Sequence, residues 1–348
     1  MLILGIETTC DETACALVKD GRQILSNVIA SQSAFHEKFG GVYPEMASRQ
    51  HVDCIIPTIQ RALDEAQVTS DEIDLIAVAK GPGLIGPLFI GLNAAKSLSL
   101  AWKIPFVGVN HVEAHLYAAM MSNEGFELPA LGVVVSGGHT FLVRILDVGD
   151  YEMIGTTVDD AVGEAFDKVA ALLDLPYPGG PQVEALAKGG DATRFPYRAG
   201  KVKGHPFDFS FSGLKTNVLY TVKGQNGDKR GKTTISEEEK RDVAASFQEA
   251  ALGDIAAKAL NAAKEYGCLS IFVGGGVSCN RRLRELLDGT IPVYWPGKGL
   301  SLDNGAMIAG LGYHVFSGES DPLDLEPKAR IPIGERASSS SQMARDLS

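Results

Sequence analysis

Short apolar runs separated by polar turns open two stretches of the chain in the same way. The first stretch contains three such runs, at residues 2–7, 14–18 and 22–30. The second stretch repeats this rhythm at residues 131–135, 141–146 and 151–158. Apolar runs of this length, bounded by turn residues, are typical of β-strands. Each stretch is therefore predicted to begin with a three-stranded meander.

Longer helical patterns and further short strands follow each meander in the same order. In the first half, helix, strand, helix and strand are predicted at residues 44–67, 75–79, 84–102 and 106–109. In the second half the same order is predicted at residues 237–266, 269–273, 279–287 and 292–294, before a last helix at 304–316. Two halves with one element order indicate a duplicated α/β fold with a cleft between two lobes.

The repeated element order also predicts the limits of the lobes. Residues 1–110 are expected to form the first lobe, together with a C-terminal helix at 303–325 that packs back on it. Residues 111–302 are expected to form the second lobe, which includes an insert at 194–232 that interrupts the regular pattern. The tail at 334–348 is rich in Ser and is predicted to be flexible.

Composition restricts the class of protein. The 348 residues are 45% hydrophobic and 22% charged, which is typical of globular proteins and excludes a disordered or fibrous chain. Five scattered cysteines form no CxxC pair, as expected in a reducing compartment. The N-terminus turns acidic before a signal peptide could form, and no apolar run approaches the ~18 residues of a membrane span. We therefore predict a cytoplasmic protein without membrane contact.

The insert at 194–232 differs from the rest of the chain in charge. It contains nine Lys or Arg and two Asp, whereas the chain has a net charge of −11 with 32 basic and 43 acidic residues. The net charge argues against a general nucleic-acid coat. A basic segment on an acidic body can contact a phosphate backbone, but it can equally be a solvated loop. The charge pattern leaves both interpretations open.

Two histidines provide the strongest candidate for metal chemistry. His111 and His115 are four positions apart, which places both imidazoles on one face of a helix. Such a pair can bind a divalent metal if a carboxylate from elsewhere completes the set, although the pattern also arises by chance. Glu113 is at the wrong position for the HExxH motif of zinc proteases. The sequence therefore gives poor support to a protease.

Glycine turns after two of the predicted strands are candidate anion sites. Residues 136–138 read Ser-Gly-Gly and residues 274–276 read Gly-Gly-Gly. Exposed backbone N–H groups in such turns can bind phosphate without side chains. Each turn alone is a weak signal, because glycine turns between strands and helices are common structural devices. One turn in each half of a duplicated fold, in contrast, favours nucleotide binding.

Carboxylates near other turns allow both a binding and a structural interpretation. Asp167 and Glu184 flank the glycines of the turn 178–181, where a ligand could approach the backbone closely. Asp167 could bind ribose hydroxyls or cap a helix. Asp303 directly precedes the last predicted helix, so its default interpretation is an N-cap. Asp11 and Glu12 are candidates for proton transfer only because they are carboxylates in the first loop.

Nine blocks of sequence together resemble the bacterial tRNA N6-adenosine threonylcarbamoyltransferases, which were formerly described as sialoglycoprotein endopeptidases. In chain order the blocks are GIETTCDET (5–13), GGVYPEMASRQH (40–51), GPGLIG (81–86), NHVEAHLYA (110–118), VVSGGHT (134–140), GEAFDKVA (163–170), YPGGP (177–181), FSFSGLKT (209–216) and GGGVSCN (274–280). The resemblance covers most of the chain and is broken mainly within the basic insert.

The resemblance implies a fold, a reaction and partners. The fold is that of actin, hexokinase and Hsp70 (ASKHA), in agreement with the duplication. The reaction is transfer of the threonylcarbamoyl group from threonylcarbamoyl-AMP to N6 of adenosine 37 in tRNAs that read ANN codons, with release of AMP. The partners are a paralogous non-catalytic subunit and a small P-loop ATPase. The usual metal is iron as Fe(2+), with Zn or Mg as substitutes in vitro.

The resemblance also implies roles for particular residues. His111, His115 and Asp303 match the metal ligands, through which they would take part in catalysis. The substrate-binding positions are matched by Val134, Val135, Ser136, Gly137, Gly138, Asp167, Gly180 and Asn280. Glu184 occupies a further binding position, where relatives often have Asp.

Two other functions are weighed against the transferase. An ATP-dependent kinase or ATPase of the same fold would commonly carry an Asp at the start of its second lobe, where this chain has Ser136. A non-catalytic scaffold subunit of the same assembly would have no need for the metal-ligand set. Both features favour the transferase.

Overall fold

The computed structural model describes residues 1–224 and 235–333, and these residues form two five-stranded mixed sheets. The first sheet has the order β3-β2-β1-β4-β5, made of β1 (Leu2–Glu7), β2 (Glu12–Lys19), β3 (Gln23–Ser31), β4 (Leu75–Gly81) and β5 (Phe106–Asn110). The second sheet has the order β10-β9-β6-β7-β8, made of β6 (Ala130–Val135), β7 (Thr140–Asp147), β8 (Asp150–Thr156), β9 (Ser270–Gly274) and β10 (Val293–Tyr294).

Ten α-helices lie within the same described ranges. They are α1 (Ser33–His36), α2 (Pro44–Ala66), α3 (Ile85–Trp102), α4 (His111–Met121), α5 (Val162–Leu172), α6 (Gly179–Ala187), α7 (Ser212–Lys223), α8 (Glu237–Glu265), α9 (Arg281–Leu287) and α10 (Gly305–Val315). None of the helices in these ranges is long and apolar enough to cross a membrane.

The two sheets share one plan. The central strand β1 pairs antiparallel with β2 and parallel with β4, and the central strand β6 pairs antiparallel with β7 and parallel with β9. Five of the six residues of β1 and all six of β6 are buried. Burial on both faces is typical of central strands that helices cover, and it explains the apolar runs in the sequence. The predicted duplicated α/β fold is confirmed.

The last helix, α10, lies directly on the first sheet. A Cβ atom on Gly5 of β1 would collide with the carbonyl oxygen of Gly305, and one on Gly305 would lie 2.6 Å from the backbone nitrogen of Ala16. Glycine at both positions therefore lets the helix and the strands meet backbone to backbone. Through this contact the C-terminal part of the chain completes the first half of the molecule.

Several predicted bounds need correction. The last helix ends at Val315, short of both predicted limits (316 and 325), and Gly318 with a φ of +97° follows it. Beyond the helix the chain runs along β5, where Asp321 Oδ2 accepts the Gly108 N–H at 2.7 Å. The third strand is shifted by one residue, and α9 begins at Arg281 because a tight turn at Gly276–Cys279 precedes it.

Helix α4 lies between the two sheets. It packs against α10 and against β9, and a Cβ atom on Gly274 would lie 2.5 Å from the backbone oxygen of His115.

The lobe limits at 110 and 302 remain a prediction. Residues 225–232 of the basic insert and the tail at 334–348 lie outside the described residues.

Candidate active site

The two candidate metal-binding histidines belong to the first turns of α4. The side chain of Asn110, at the end of β5, accepts the N–H of Val112 at 2.9 Å and that of Glu113 at 3.3 Å. This N-cap makes the helix begin at His111. The rings of His111 and His115 consequently lie on one helix face, with centroids 4.7 Å apart and an interplanar angle of 76°.

Asp303 brings a carboxylate to the two imidazoles. Its Oδ1 lies 3.2 Å from His115 Nε2 and 3.7 Å from His111 Nε2, and one ligand atom of each residue lies within 4.8 Å of the others. The expectation that Asp303 is an N-cap is wrong, because the neighbouring Asn304 accepts the Met307 N–H at 2.9 Å. Since Asn304 caps α10, the carboxylate of Asp303 remains available to the histidines.

The donor set fits a divalent transition metal. Two imidazoles and one carboxylate with open positions around them form a common ligand set for such ions. His115 is 1% exposed, and neither of its ring nitrogens has a hydrogen-bond partner among the described residues. The Asp303 oxygen is near but is not aligned for a hydrogen bond. A buried polar atom without a partner is costly, and a bound metal ion would satisfy it.

Charges within the cluster influence one another. Burial opposes a positive charge on His111, but the carboxylates of Glu7 and Asp303 outweigh burial and raise its pKa to about 9. Burial alone would raise the pKa of Asp303, yet the neighbouring His111 and His115 hold it well below the usual range. The carboxylate is therefore ionised, and His111 must release a proton when a metal binds.

The two glycine turns lie side by side next to this cluster. Strands β6 and β9 are parallel neighbours, with Val134 opposite Gly274, so both turns leave the same edge of the sheet. The backbone at Gly137 and Gly138 is exposed, and a Cβ atom on either would meet nothing within 4 Å. Their N–H groups can therefore be reached by a ligand, and anion binding at this turn stays a prediction.

The other candidates in the first turn differ in accessibility. The side chains of Val134 and Val135 are completely buried in the core, so only their backbone atoms could face a ligand. Ser136 closes the turn, because its N–H donates to the His139 carbonyl at 2.8 Å and its Oγ accepts the His139 N–H at 3.1 Å.

His139 is a member of the site that sequence analysis missed. Burial, together with the nearby His111 and His115, lowers the pKa of its imidazole to about 4. The ring is therefore neutral at physiological pH. A signal was present in the SGGHT block, where His139 is the only residue with a ring, but nothing in the sequence places it beside the metal cluster.

Asp167 and Gly180 lie at the start of α6. Asp167 Oδ1 accepts the Gly179 N–H at 2.7 Å, so the carboxylate caps this helix from a distance of twelve positions along the chain. Burial raises the pKa of Asp167, and the nearby charge of Asp11 acts in the same direction. Hydrogen bonds from Gly179 and Gly180 oppose this increase. The backbone of Gly180 is open, since a Cβ atom there would meet nothing within 4 Å.

Glu184 and Asn280 meet at the start of α9. Glu184 Oε1 accepts the Arg281 N–H at 3.0 Å, and the Asn280 side-chain oxygen accepts the Arg282 N–H at 2.9 Å. The Asn280 amide also donates to Gln248 at 2.9 Å. Both candidates thus have structural partners within the protein. The structure brings them together at the start of α9, whereas Asp167 lies at the start of α6, the helix that carries Glu184.

Asp11 and Glu12 face residues of the second half of the chain. Burial and the neighbouring Asp11 and Asp303 raise the pKa of Glu12 to about 9. Burial together with Asp11 and Asp167 also raises the pKa of Tyr177. Loops from the two halves therefore bring carboxylates together near the candidate metal ligands.

Solved structures of the same shape define the class of protein. The chain superimposes on full-length HypF in its phosphate- and nucleotide-bound form with a TM-score of 0.59 at 16% identity, over 92% of this chain. It spans about half of that HypF chain (47%). It also matches component A of the (R)-2-hydroxyglutaryl-CoA dehydratase of Acidaminococcus fermentans, with a TM-score of 0.51 at 15% identity. The protein therefore has the two-lobed ASKHA fold.

Sequence comparison then identifies the family. Residues 23–310 match the family described as tRNA N6-adenosine threonylcarbamoyltransferase. A relative of that name from Protochlamydia amoebophila is 58% identical over 339 residues, which are 96% of this chain and 98% of the relative. Another from Chlamydia felis is 49% identical over 95% of this chain and 96% of the relative. The chain belongs to this family of tRNA-modifying acyltransferases, and the expected function is confirmed at that level.

Proposed function

We propose that the chain transfers the threonylcarbamoyl group of threonylcarbamoyl-AMP to N6 of adenosine 37 in tRNAs that read ANN codons. AMP leaves as the new N–C bond forms. The observation that carries the proposal is the buried cluster of His111, His115 and Asp303 beside exposed glycine turns, in a chain of this family. Threonylcarbamoyl-AMP is a mixed anhydride and has a good leaving group. The protein must therefore mainly bind and orient the two substrates and polarise the carbamoyl carbonyl.

His111, His115 and Asp303 are proposed to hold one divalent metal ion, Fe(2+), which Zn or Mg can replace in vitro. The bound ion supplies Lewis-acid polarisation of the carbamoyl carbonyl. The buried, unpartnered nitrogens of His115 support this assignment. The ionised Asp303 supplies the negative charge that a divalent cation requires.

The substrate-binding role is proposed for Val134, Val135, Ser136, Gly137, Gly138, Asp167, Gly180, Glu184 and Asn280. The open backbone at Gly137 and Gly138 suits the AMP phosphate, and that at Gly180 suits the sugar or the threonyl end. Holding two substrates in the reacting geometry can remove several kcal/mol from the barrier.

The proton transfer is assigned to the carboxylates of the first loop, Asp11 and Glu12. The N6 amine loses a proton when it is acylated, and a carboxylate nearby can accept it. Because Glu12 has a pKa of about 9, it carries a proton at neutral pH and is suited to donate rather than accept. We therefore assign proton acceptance to Asp11.

Exposed apolar side chains on two helices that pack against each other support a protein partner. Val52 and Ile56 on α2 and Ile85 and Phe89 on α3 are each about half exposed, and the two helices pack side by side. Such patches commonly mark protein–protein contacts. We assign this one to the paralogous subunit, so Phe89→Glu should abolish heterodimer formation in gel filtration whereas Leu269→Glu on the other lobe should not. A small P-loop ATPase is proposed as a second partner from the family resemblance.

The proposed reaction is tested with purified chain and partners, synthetic threonylcarbamoyl-AMP and a tRNA transcript. We expect formation of threonylcarbamoyl-adenosine on a transcript with A37 and none with G37. His111→Ala/His115→Ala should lose metal and about a hundredfold or more in rate, while the surface variant Lys19→Ala, outside the basic insert, should keep both. Metal that remains stoichiometric in the double variant contradicts the assigned site. Transfer that fails while the chain alone, without its proposed partners, hydrolyses ATP supports the kinase or ATPase instead.

A further inference from the structure

Glu7 is a fully buried carboxylate that contacts His111, one of the candidate metal ligands. It is the last residue of β1 and is 0% exposed. Its Oε1 accepts the Thr9 N–H at 2.6 Å, and its Oε2 lies 2.9 Å from His111 Nδ1. The other ring nitrogen of His111, Nε2, points towards Asp303 Oδ1 at 3.7 Å. The His111 imidazole therefore lies between the Glu7 carboxylate on its Nδ1 side and the Asp303 carboxylate on its Nε2 side.

We propose that Glu7 is a positioning residue that keeps the proton of His111 on Nδ1 and thereby presents the Nε2 lone pair to the metal. The inference rests on the proposed metal site. A histidine that binds metal through one nitrogen commonly donates the other N–H to a carboxylate, which fixes ring orientation and increases ligand basicity. The contact between Glu7 and His111 has this arrangement.

The hydrogen-bond pattern explains why this position needs a carboxylate. A carboxylate offers two accepting oxygens, and Glu7 places one at the Thr9 N–H and the other at His111 Nδ1, where the proposed tautomer carries its proton. A glutamine has one accepting oxygen and one donating amide. Its amide would face either Thr9, leaving two donors in contact, or His111. In the second case Nδ1 becomes an acceptor and the proton moves to Nε2, where it blocks the metal.

The second histidine has no such support. Neither ring nitrogen of His115 has a hydrogen-bond partner among the described residues, although Nε2 lies 3.2 Å from Asp303. His111 is therefore oriented through its Nδ1 by Glu7 at 2.9 Å and the Thr9 hydroxyl at 3.4 Å, whereas His115 has no hydrogen bond within the described part of the chain that orients its ring. Since Glu7 belongs to the first sheet, it also ties α4 to that half of the molecule.

The test compares zinc affinity of the full-length chain and its variants, measured by competition with a chromophoric chelator. We expect Glu7→Gln to bind Zn²⁺ about 10- to 100-fold more weakly than the wild type. Thr8→Val is the matched control, because Thr8 is the next residue, is equally buried and donates to the Pro87 carbonyl at 2.9 Å without touching His111. Its affinity should remain that of the wild type.

A measurement on the wild type decides the question if Glu7→Gln does not fold. In the zinc-loaded protein, ¹⁵N-edited NMR of labelled histidine should show His111 with a proton on Nδ1 and none on Nε2. The reverse pattern, or unchanged zinc affinity in folded Glu7→Gln, overturns the role of Glu7 while leaving the metal site intact. A wild type that binds no zinc at the two histidines refutes the metal site, and the role of Glu7 with it.

Discussion

Asn280 illustrates how one side chain in the site can have both a structural and a binding role. Its oxygen caps α9 through the Arg282 N–H, and its amide donates to Gln248. Both contacts are made inside the protein, whereas the proposed function also assigns Asn280 to the substrate. Substitutions that keep the cap and remove the amide can separate these roles, because Ser caps a helix about as well as Asn.

We expect Asn280→Ala to lower the free energy of unfolding by about 1–3 kcal/mol, because the cap of α9 and the hydrogen bond to Gln248 are both lost. Asn280→Ser keeps the cap and should be more stable than Asn280→Ala by about 1 kcal/mol in urea unfolding. If the amide contacts the donor, both variants raise the KM for threonylcarbamoyl-AMP. A KM that changes only in Asn280→Ala would show that Asn280 acts as a cap alone.

At the scale of single residues, the sequence predicts part of the candidate site. The spacing of His111 and His115 predicts a shared helix face because the period of a helix is local. The default interpretation of Asp303 as a cap was wrong, because Asn304 makes the same type of bond one residue later. Glu7 and His139 were not found, since each reaches the cluster through folding of distant segments rather than through a local pattern.

At the scale of elements, the contact between α10 and the first sheet sets the position of Asp303. The helix begins two residues after Asp303, and Gly305 in its first turn leaves no room for a side chain against β2. A shift of α10 away from the sheet would therefore move the Asp303 carboxylate relative to His111 and His115. Packing of this helix and the geometry of the candidate metal site are thus coupled.

We predict that Gly305→Ala lowers the free energy of unfolding by about 1–3 kcal/mol, the usual cost of overpacking, and weakens zinc binding. Gly253→Ala in α8 is the control, because a Cβ atom there meets nothing within 4 Å. Because Gly253 lies in a helix interior, Gly253→Ala should raise the free energy of unfolding by up to about 1 kcal/mol. Urea unfolding and chelator competition measure both effects. Equal stability of the two variants would contradict close packing of α10.

Element order was predictable where apolar periodicity is strong. The strands and long helices of both halves appear in the predicted order, because burial of their apolar residues is encoded locally. Element ends were less predictable. Asn280 and Asn304 set the starts of α9 and α10, and the sequence does not show which of several adjacent polar residues will be the cap. Helices α5 to α7 were not predicted, and residues 178–181, interpreted as a turn, contain the start of α6 at Gly179.

At the scale of the whole molecule, charge is unevenly distributed. The chain has a net charge of −11, yet residues 194–232 carry nine basic residues and two acidic ones. Among the described residues of this segment, Lys201 and Lys203 are exposed. The predicted residues Lys229 and Arg230 lie outside the described residues. An acidic protein that binds tRNA needs a local basic surface, and the negative remainder suggests that binding is shared with partner subunits.

We expect Lys201→Glu/Lys203→Glu to weaken tRNA binding most at low salt and to reduce the salt dependence of the affinity, because phosphate contacts release counterions. The control Lys19→Glu/Lys264→Glu makes the same change of net charge at exposed positions outside this segment. Binding is measured by fluorescence anisotropy from 50 to 200 mM salt, a range in which such contacts change affinity strongly. Equal behaviour of both pairs would indicate a solvated loop.

The most direct test of the account is made on total tRNA. Cells depleted of this protein receive either the wild type or His111→Ala/His115→Ala, and mass spectrometry measures threonylcarbamoyl-adenosine among the nucleosides. The account predicts that the modification disappears and that only the wild type restores it. Restoration by the double variant would contradict a catalytic metal site. An unchanged level of the modification after confirmed depletion would contradict the transferase itself.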